Sequence, residues 1–218
     1  MRLQALVATL AGLLAACSYS DQAPPILEGY DPGPATAGRY AAFVQSGGWT
    51  IEPTFKSTEC FTNSYVVDIN FSWDQTMRHR LKAALANVEF VNRVIPRAQL
   101  AESGYAAQII VTPMQAVSRV YFQPAPDVSF MRKAVFIEVR TALDGVLVVH
   151  RADGVRHERP LGALGVKKWT AQSGIGCAEL QPVFLDSSLK AVDDLTRTAI
   201  VGVRAALEQP ARLMSSAP

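Results

Sequence analysis

The sequence predicts an α+β fold with helices packed on one face of a mixed, mostly antiparallel sheet. Three observations predict it. Tyr65, Val67, Ile69 and Phe71 alternate with Val66, Asp68 and Asn70, the period of a half-buried strand. Two stretches place apolar residues at helical spacing: Met77, Leu81, Leu85 and Val88, and near the end Leu189, Val192, Leu195, Ala199, Val203 and Leu207. Between them lie long alternating runs divided by short turn signals, which is how antiparallel strands read. The expected order is a β-α-β-α opening, a three-stranded meander and a closing C-terminal helix.

Along the chain, Arg2 precedes an almost unbroken apolar run from Leu3 to Leu14, too short to span a bilayer, which needs about 20 residues. Residues 1–16 therefore read as a secretory signal. Residues 17–48 are rich in Pro, Gly, Ala and Ser, including Pro24-Pro25 and Asp31-Pro32-Gly33-Pro34, and read as a tether. The folded domain is expected over 49–209. Ser72 or Asp74 is suited to cap a helix running to about Glu89, followed by a short strand around Val91–Ile95. Pro96 suits the first turn of a short helix that Gly104 ends.

A long strand is expected from Ala106 to Phe122, with Pro113 forcing an edge or a bulge. The Pro124-Ala125-Pro126-Asp127 turn returns the chain into Phe130–Leu143. Asp144-Gly145 and Asp153-Gly154 are both hairpin signals, because type I′ turns need positive φ at their central positions. After Pro160 the periodicity fades through Gly162, Gly165, Gly174 and Gly176. The last helix is expected from Ser187 to Glu208, capped by Asp186 or Ser187. Residues 210–218 read as a frayed tail.

Composition excludes more than it selects. Hydrophobic content is 49%, charge 18%, and net charge +2, of which Arg2 leaves with the signal. Nucleic-acid binding calls for a strongly basic face, and none is expected here. Cys60 and Cys177 are the cysteines left in the domain, and an oxidising compartment favours their pairing. Such a loop stabilises by about 4–5 kcal/mol in the chain-entropy model.

Cross-strand His150 and His157 would share one sheet face if Asp153-Gly154 set the register, but no further ligand joins them, so no metal or other cofactor is expected. Gln172-Ser173-Gly174-Ile175-Gly176 lacks the glycine before the serine that a nucleophile elbow needs, and lacks the lysine of a phosphate loop. Asp193 and Asp194 are neighbours on a helix and point about 100° apart. No catalytic residue is expected, and the chain does not read as an enzyme. Arg78, His79, Arg80 and Lys82 read as the solvated side of an amphipathic helix, with lipid phosphates as the alternative target. Tyr121, Phe122 and Phe130 flank a rigid Pro-rich turn and are the candidate partner interface.

Leu14-Ala15-Ala16-Cys17 resembles the lipobox of bacterial lipoproteins. The resemblance implies cleavage before Cys17, diacylglycerol on its thiol, a further acyl chain such as palmitate on its amine, and outer-membrane sorting through Ser18. The order of elements, with Tyr65–Phe71, the Leu81–Leu85 helix and Gly104-Tyr105-Ala106-Ala107-Gln108-Ile109-Ile110-Val111, is similar to periplasmic lipoproteins of the curli-secretion kind and the Tol-translocation amino-terminal domain. It implies a lipid-anchored periplasmic domain serving as a non-catalytic accessory subunit, in an envelope protein complex or a homo-oligomer. The alternative is lipid handling, as in lipopolysaccharide assembly or transport.

Overall fold

The computed structural model describes residues 18–55, 64–124, 134–172 and 177–209. Among the described residues nine strands and three helices follow in order: β1 (Ser18–Gln22), β2 (Thr36–Val44), β3 (Thr50–Ile51), β4 (Thr54–Phe55), β5 (Ser64–Asp68), α1 (Asn70–Ala84), β6 (Leu85–Phe90), α2 (Arg97–Leu100), β7 (Ala107–Pro124), β8 (Ala134–Arg151), β9 (Arg156–Gln172) and α3 (Gln181–Glu208). A 3-10 turn, Cys177–Leu180, leads into α3.

The fold is α+β with mixed sheets, as the sequence predicts. The large sheet runs β6-β2-β7-β8-β9, with β4 also paired to β7, and a small sheet runs β1-β5-β3. Strand β2 lies parallel to both of its neighbours, whereas β7, β8 and β9 form an antiparallel meander. Helices α1 and α3 cover one face and share a core with Trp49, Trp73, Leu81, Ile109, Val139, Phe184 and Leu195. On the other face the single turn α2 buries Leu100 against Ala41 and Tyr105.

The largest departure concerns the tether expected over 17–48, of which the described residues 18–48 belong to the fold. Strand β1 pairs with β5 from Ser18 onward, and β2 sits between β6 and β7 in the large sheet. Between them the chain straps across the helices. Ile26 N–H donates to Thr76 Oγ1 at 2.9 Å, and Arg197 and Arg204 donate to the carbonyls of Gly29 and Pro34. Composition described only the Pro/Gly strap. The run Tyr40-Ala41-Ala42-Phe43-Val44 is the continuous apolar stretch of a strand buried on both faces.

Helix α1 begins at Asn70, with Asp68 Oδ1 accepting the Asn70 N–H at 2.9 Å, so neither Ser72 nor Asp74 is its cap. It ends at Ala84, not Glu89, because Leu85 is already extended (φ −124, ψ 132) and opens β6. The expected strand at Val91–Ile95 is accordingly found six residues earlier, at Leu85–Phe90.

The meander has three strands, but Asp144-Gly145 is not one of its turns, since β8 runs through it. Pro113 pairs with Gly145 and Gln115 with Asp144, leaving Met114 as a bulge. A Cβ on Gly145 would lie 2.9 Å from the Thr112 carbonyl oxygen, so this glycine serves a close backbone approach. Asp153-Gly154 does turn, with Gly154 at φ 91. Its geometry opposes His150 to Arg156 and Val149 to His157, one residue away from the expected register.

Strand β9 continues past Pro160 to Gln172, where loss of order was expected. Gly162 and Gly165 lie within it. A Cβ on Gly165 would meet the Ser187 carbonyl oxygen at 1.9 Å, so α3 rests directly on the strand here. The Ser187 hydroxyl sits 2.9 Å from Thr141 Oγ1 and 3.1 Å from the Gly165 oxygen, and Thr141 Oγ1 is 3.2 Å from Ser118 Oγ. This buried polar ladder ties α3 to all three meander strands. Helix α3 therefore starts at Gln181 with Pro182 in its first turn, and Asp186 and Ser187 lie inside it instead of capping it.

Candidate partner interface

Only part of the expected site is in view. Cys17, Cys60 and Phe130 lie outside the described residues, as do Ser173–Gly176. Cys177 opens the 3-10 turn before α3. The elements flanking the two domain cysteines touch: Gln181 Nε2 is 3.4 Å from the Val66 carbonyl oxygen, and the Tyr65 and Phe184 rings are 5.0 Å apart.

The register divides the meander into two faces. Ile137, Val139, Thr141, Leu143, Leu147 and Val149 of β8 point to the helices and are buried. The alternate residues form rows across the opposite, open face. Ile110, Val148 and Glu158 stand side by side, then Thr112, Val146 and Pro160, then Val117, Ala142 and Leu164. The middle of this face is thus mostly apolar, with Leu164 54% and the bulged Met114 66% exposed. In the order of the large sheet β9 is an edge, with no described strand on its outer side.

Toward the end of the meander where β7 stops and β8 starts, the rows change character. They read Arg119, Arg140 and Val166, then Tyr121, Glu138 and Lys168, then Gln123, Phe136 and Thr170. Arg140 Nε donates to Glu138, its guanidinium lies 5.1 Å from the Tyr121 ring centroid, and Lys168 Nζ is 3.5 Å from Glu138. The Arg140 hydrogen bond holds the Glu138 carboxyl below its usual range. Tyr121, Phe136, Glu138 and Lys168 line a hollow of about 270 Å³, and Phe136 is 42% exposed.

The structure separates the aromatics that the sequence grouped. Tyr121 is on the open face, while Phe122 pairs with Ile137 on the helix side and packs against the core. A polar residue at 122 therefore probes stability and not an interface. Phe136 takes its place, and the signal for it was present: it alternates with the core residue Ile137 and shares its side of β8 with Glu138 and Arg140.

The other candidates resolve as structural groups. His150 and His157 occupy opposite faces, because the Asp153-Gly154 turn shifts their partners by one. Burial, reinforced by the Arg156 and Arg97 cations, pushes the His150 imidazole below its ordinary value. His157 lines a hollow of about 420 Å³ between the β8–β9 hairpin and the end of α3, beside Arg159, Gly202 and Ala206. Among the described residues no group of three His, Cys, Asp or Glu side chains is placed to hold a metal.

Arg80 is not on the solvated side of its helix. It is fully buried, pairs with Asp193, donates to the Asp193 carbonyl oxygen at 2.7 Å and to Thr196, and lies 4.7 Å from the Tyr30 ring centroid. Burial alone would raise the Asp193 carboxyl, but hydrogen bonds from Arg197 and Arg80 outweigh it and hold it low. Arg78 pairs with Asp74 at 2.9 Å and stacks 4.8 Å over Phe90.

No protein-family model matches the chain, and no curated protein matches it in sequence. Among solved structures it is similar to a Xanthomonas campestris protein of the DUF330 family model, at 11% identity and a TM-score of 0.41, covering 88% of this chain and 99% of that one. It is also similar to a minor lipoprotein from Acinetobacter baumannii, at 11% identity and a TM-score of 0.32, covering 81% and 100% respectively. Likenesses at this level assign no function. No helix among the described residues is long and apolar enough to cross a membrane.

Proposed function

We propose that this chain is an envelope lipoprotein, acylated at Cys17 and held on the outer membrane with its domain in the periplasm, and that it serves as a non-catalytic accessory subunit of an envelope protein complex. Removal of residues 1–16 and a Cys60–Cys177 disulfide belong to the same reading. The observation that carries the subunit role is the open face of the meander. Among the described residues, long helices cover these three strands of 17–18 residues on one side only. The other side keeps an apolar middle around Val117, Ala142, Leu164 and Met114, beside the β9 edge. Exposed apolar area ringed by polar residues is the usual mark of a protein contact.

The lipid-handling alternative loses its basic run, because Arg80 turns inward and Arg78 is already paired. The test is the double variant Met114→Asp with Leu164→Asp, both at exposed positions that leave the core intact. Size analysis of detergent extracts is expected to show the wild type in a discrete assembly and the double variant outside it. Identical elution of the two proteins, with unchanged thermal midpoints, contradicts the interface.

A further inference from the structure

The strand that begins at Ser18 leaves no slack between the proposed anchor and the fold. Consecutive Cα atoms are 3.8 Å apart, so a lipidated Cys17 holds the start of β1 within about 4 Å of the anchored residue. The headgroup layer on each side of the hydrocarbon is itself roughly 5–7 Å deep. The β1 end of the domain must then rest on the bilayer, and the fold determines what else comes down with it.

Strand pairing identifies that end. Val44 of β2 lies opposite Val111, and Thr54 of β4 lies parallel to β7 opposite Arg119, so the chain between them advances along β7 toward Pro124. Strand β3 is on that path and antiparallel to β5, and β1 is parallel to β5. Ser18 and Ser64 are therefore at the end of their sheet nearest the Pro124 end of the meander. Helix α3 places β5 as a whole toward the same end of the meander. Its C-terminal turn is at Arg151, which donates to the Ala206 and Gln209 carbonyls, and Ser187 is at Gly165, farther along the meander. Its first turns beyond Ser187 reach β5 through Gln181 and Phe184.

We propose that the molecule docks directly on the lipid headgroups by this end, with Tyr121, Phe136, Arg140 and Lys168 at the membrane interface. The inference rests on acylation of Cys17. Aromatic rings beside cationic side chains suit the headgroup zone, where an apolar body and a polar tip are solvated together. The same end was expected from the sequence to meet a protein; its position beside the anchor assigns it to lipid. The partner surface around Leu164 then faces sideways, parallel to the membrane, where another envelope protein can reach it.

The test uses the full-length acylated protein in vesicles of phosphatidylethanolamine and phosphatidylglycerol, with benzoylphenylalanine placed singly at Gln123, Phe136, Ala152 or Leu164. Ultraviolet irradiation is expected to yield lipid adducts at 123 and 136 and at least fivefold fewer at 152 and 164. A ten-residue Gly/Ser insertion between Cys17 and Ser18 is expected to lower the adducts at 136 several-fold, because the leash no longer concentrates the end on the surface. An acylated, vesicle-bound protein with equal adducts at all four positions, or none at 136, overturns the docking while leaving the anchor intact. Intact mass lacking the acyl groups at Cys17 overturns the anchor and the docking together.

Discussion

Arg80 shows how far a single side chain departs from what its neighbours in sequence suggest. Four polar residues between 78 and 82 read as one solvated face, yet Arg80 is fully buried between α1 and α3 under Tyr30. Truncating one member of a buried ion pair leaves the other uncompensated and costs about 3–5 kcal/mol. Arg197 also bonds Asp193, at 2.9 Å, so the lower part of that range is expected for Arg80→Ala in chemical denaturation. Arg78→Ala, which breaks a more exposed pair, is expected to cost under about 1 kcal/mol. Equal losses would contradict the burial. Helical spacing does place Arg80 near Thr76, Met77 and Ala84, and only its charge argued against the core. The cue that was missing is the partner, more than a hundred residues away.

His150 supplies a second prediction at this scale. Its imidazole titrates below the ordinary histidine value in the fold, facing Arg97 and Arg156 as well as Glu158. In the window below about pH 6.5 the unfolded chain binds the proton more readily, so stability is full above that pH and falls as the pH drops through it. A thermal midpoint that declines between pH 7 and 5.5 is expected, and His150→Leu is expected to flatten the decline. The low-lying carboxyls of Asp193 and Glu138 lose their contribution only at more acid pH. An identical slope in the variant would sink the assignment.

Among the elements, glycine was the most ambiguous letter in the sequence. Gly145, Gly162 and Gly165 all suggested turns or loops, and all three lie within strands. A glycine that permits close approach looks, in one sequence, the same as a glycine that permits positive φ. The structure separates them by what a methyl group would meet. Gly165→Ala drives a Cβ into the α3 backbone and is expected to cost about 3 kcal/mol or more. Gly162→Ala meets only Asp144 Oδ1 at 3.5 Å and is expected to be neutral or slightly stabilising, by up to about 1 kcal/mol. Thermal melts of the two variants check the contrast, and similar midpoints contradict it. The strands and helices with strong periodicity were legible, including β5, the first half of β7 and α3. Boundaries failed where no Gly or Pro marks the change, as at Ala84–Leu85.

At the scale of the whole molecule, the Pro/Gly-rich segment 18–48 is the one that joins the parts. It contributes a strand to each sheet and crosses the helices between them, so no folded unit begins at residue 49. A chain lacking residues 18–48 loses β2 from between β6 and β7 and is expected to be insoluble or unfolded by circular dichroism. One beginning at Ser18 is expected to fold. Composition hid this because the Pro/Gly strap dominates the average over residues 17–48, while two strands are only five and nine residues long. The partner surface was legible only in part, since which side of β8 is covered depends on where α3 lies.

The proposed role as an accessory subunit is tested most directly inside the cell. Benzoylphenylalanine at Leu164, irradiated in living cells, is expected to trap one protein adduct of defined mass, whose peptides name the partner. The same group at Gln75, exposed on α1 on the opposite side of the sheet, is expected to trap none. Adducts at neither position, with the protein extracted as a monomer, would contradict the account.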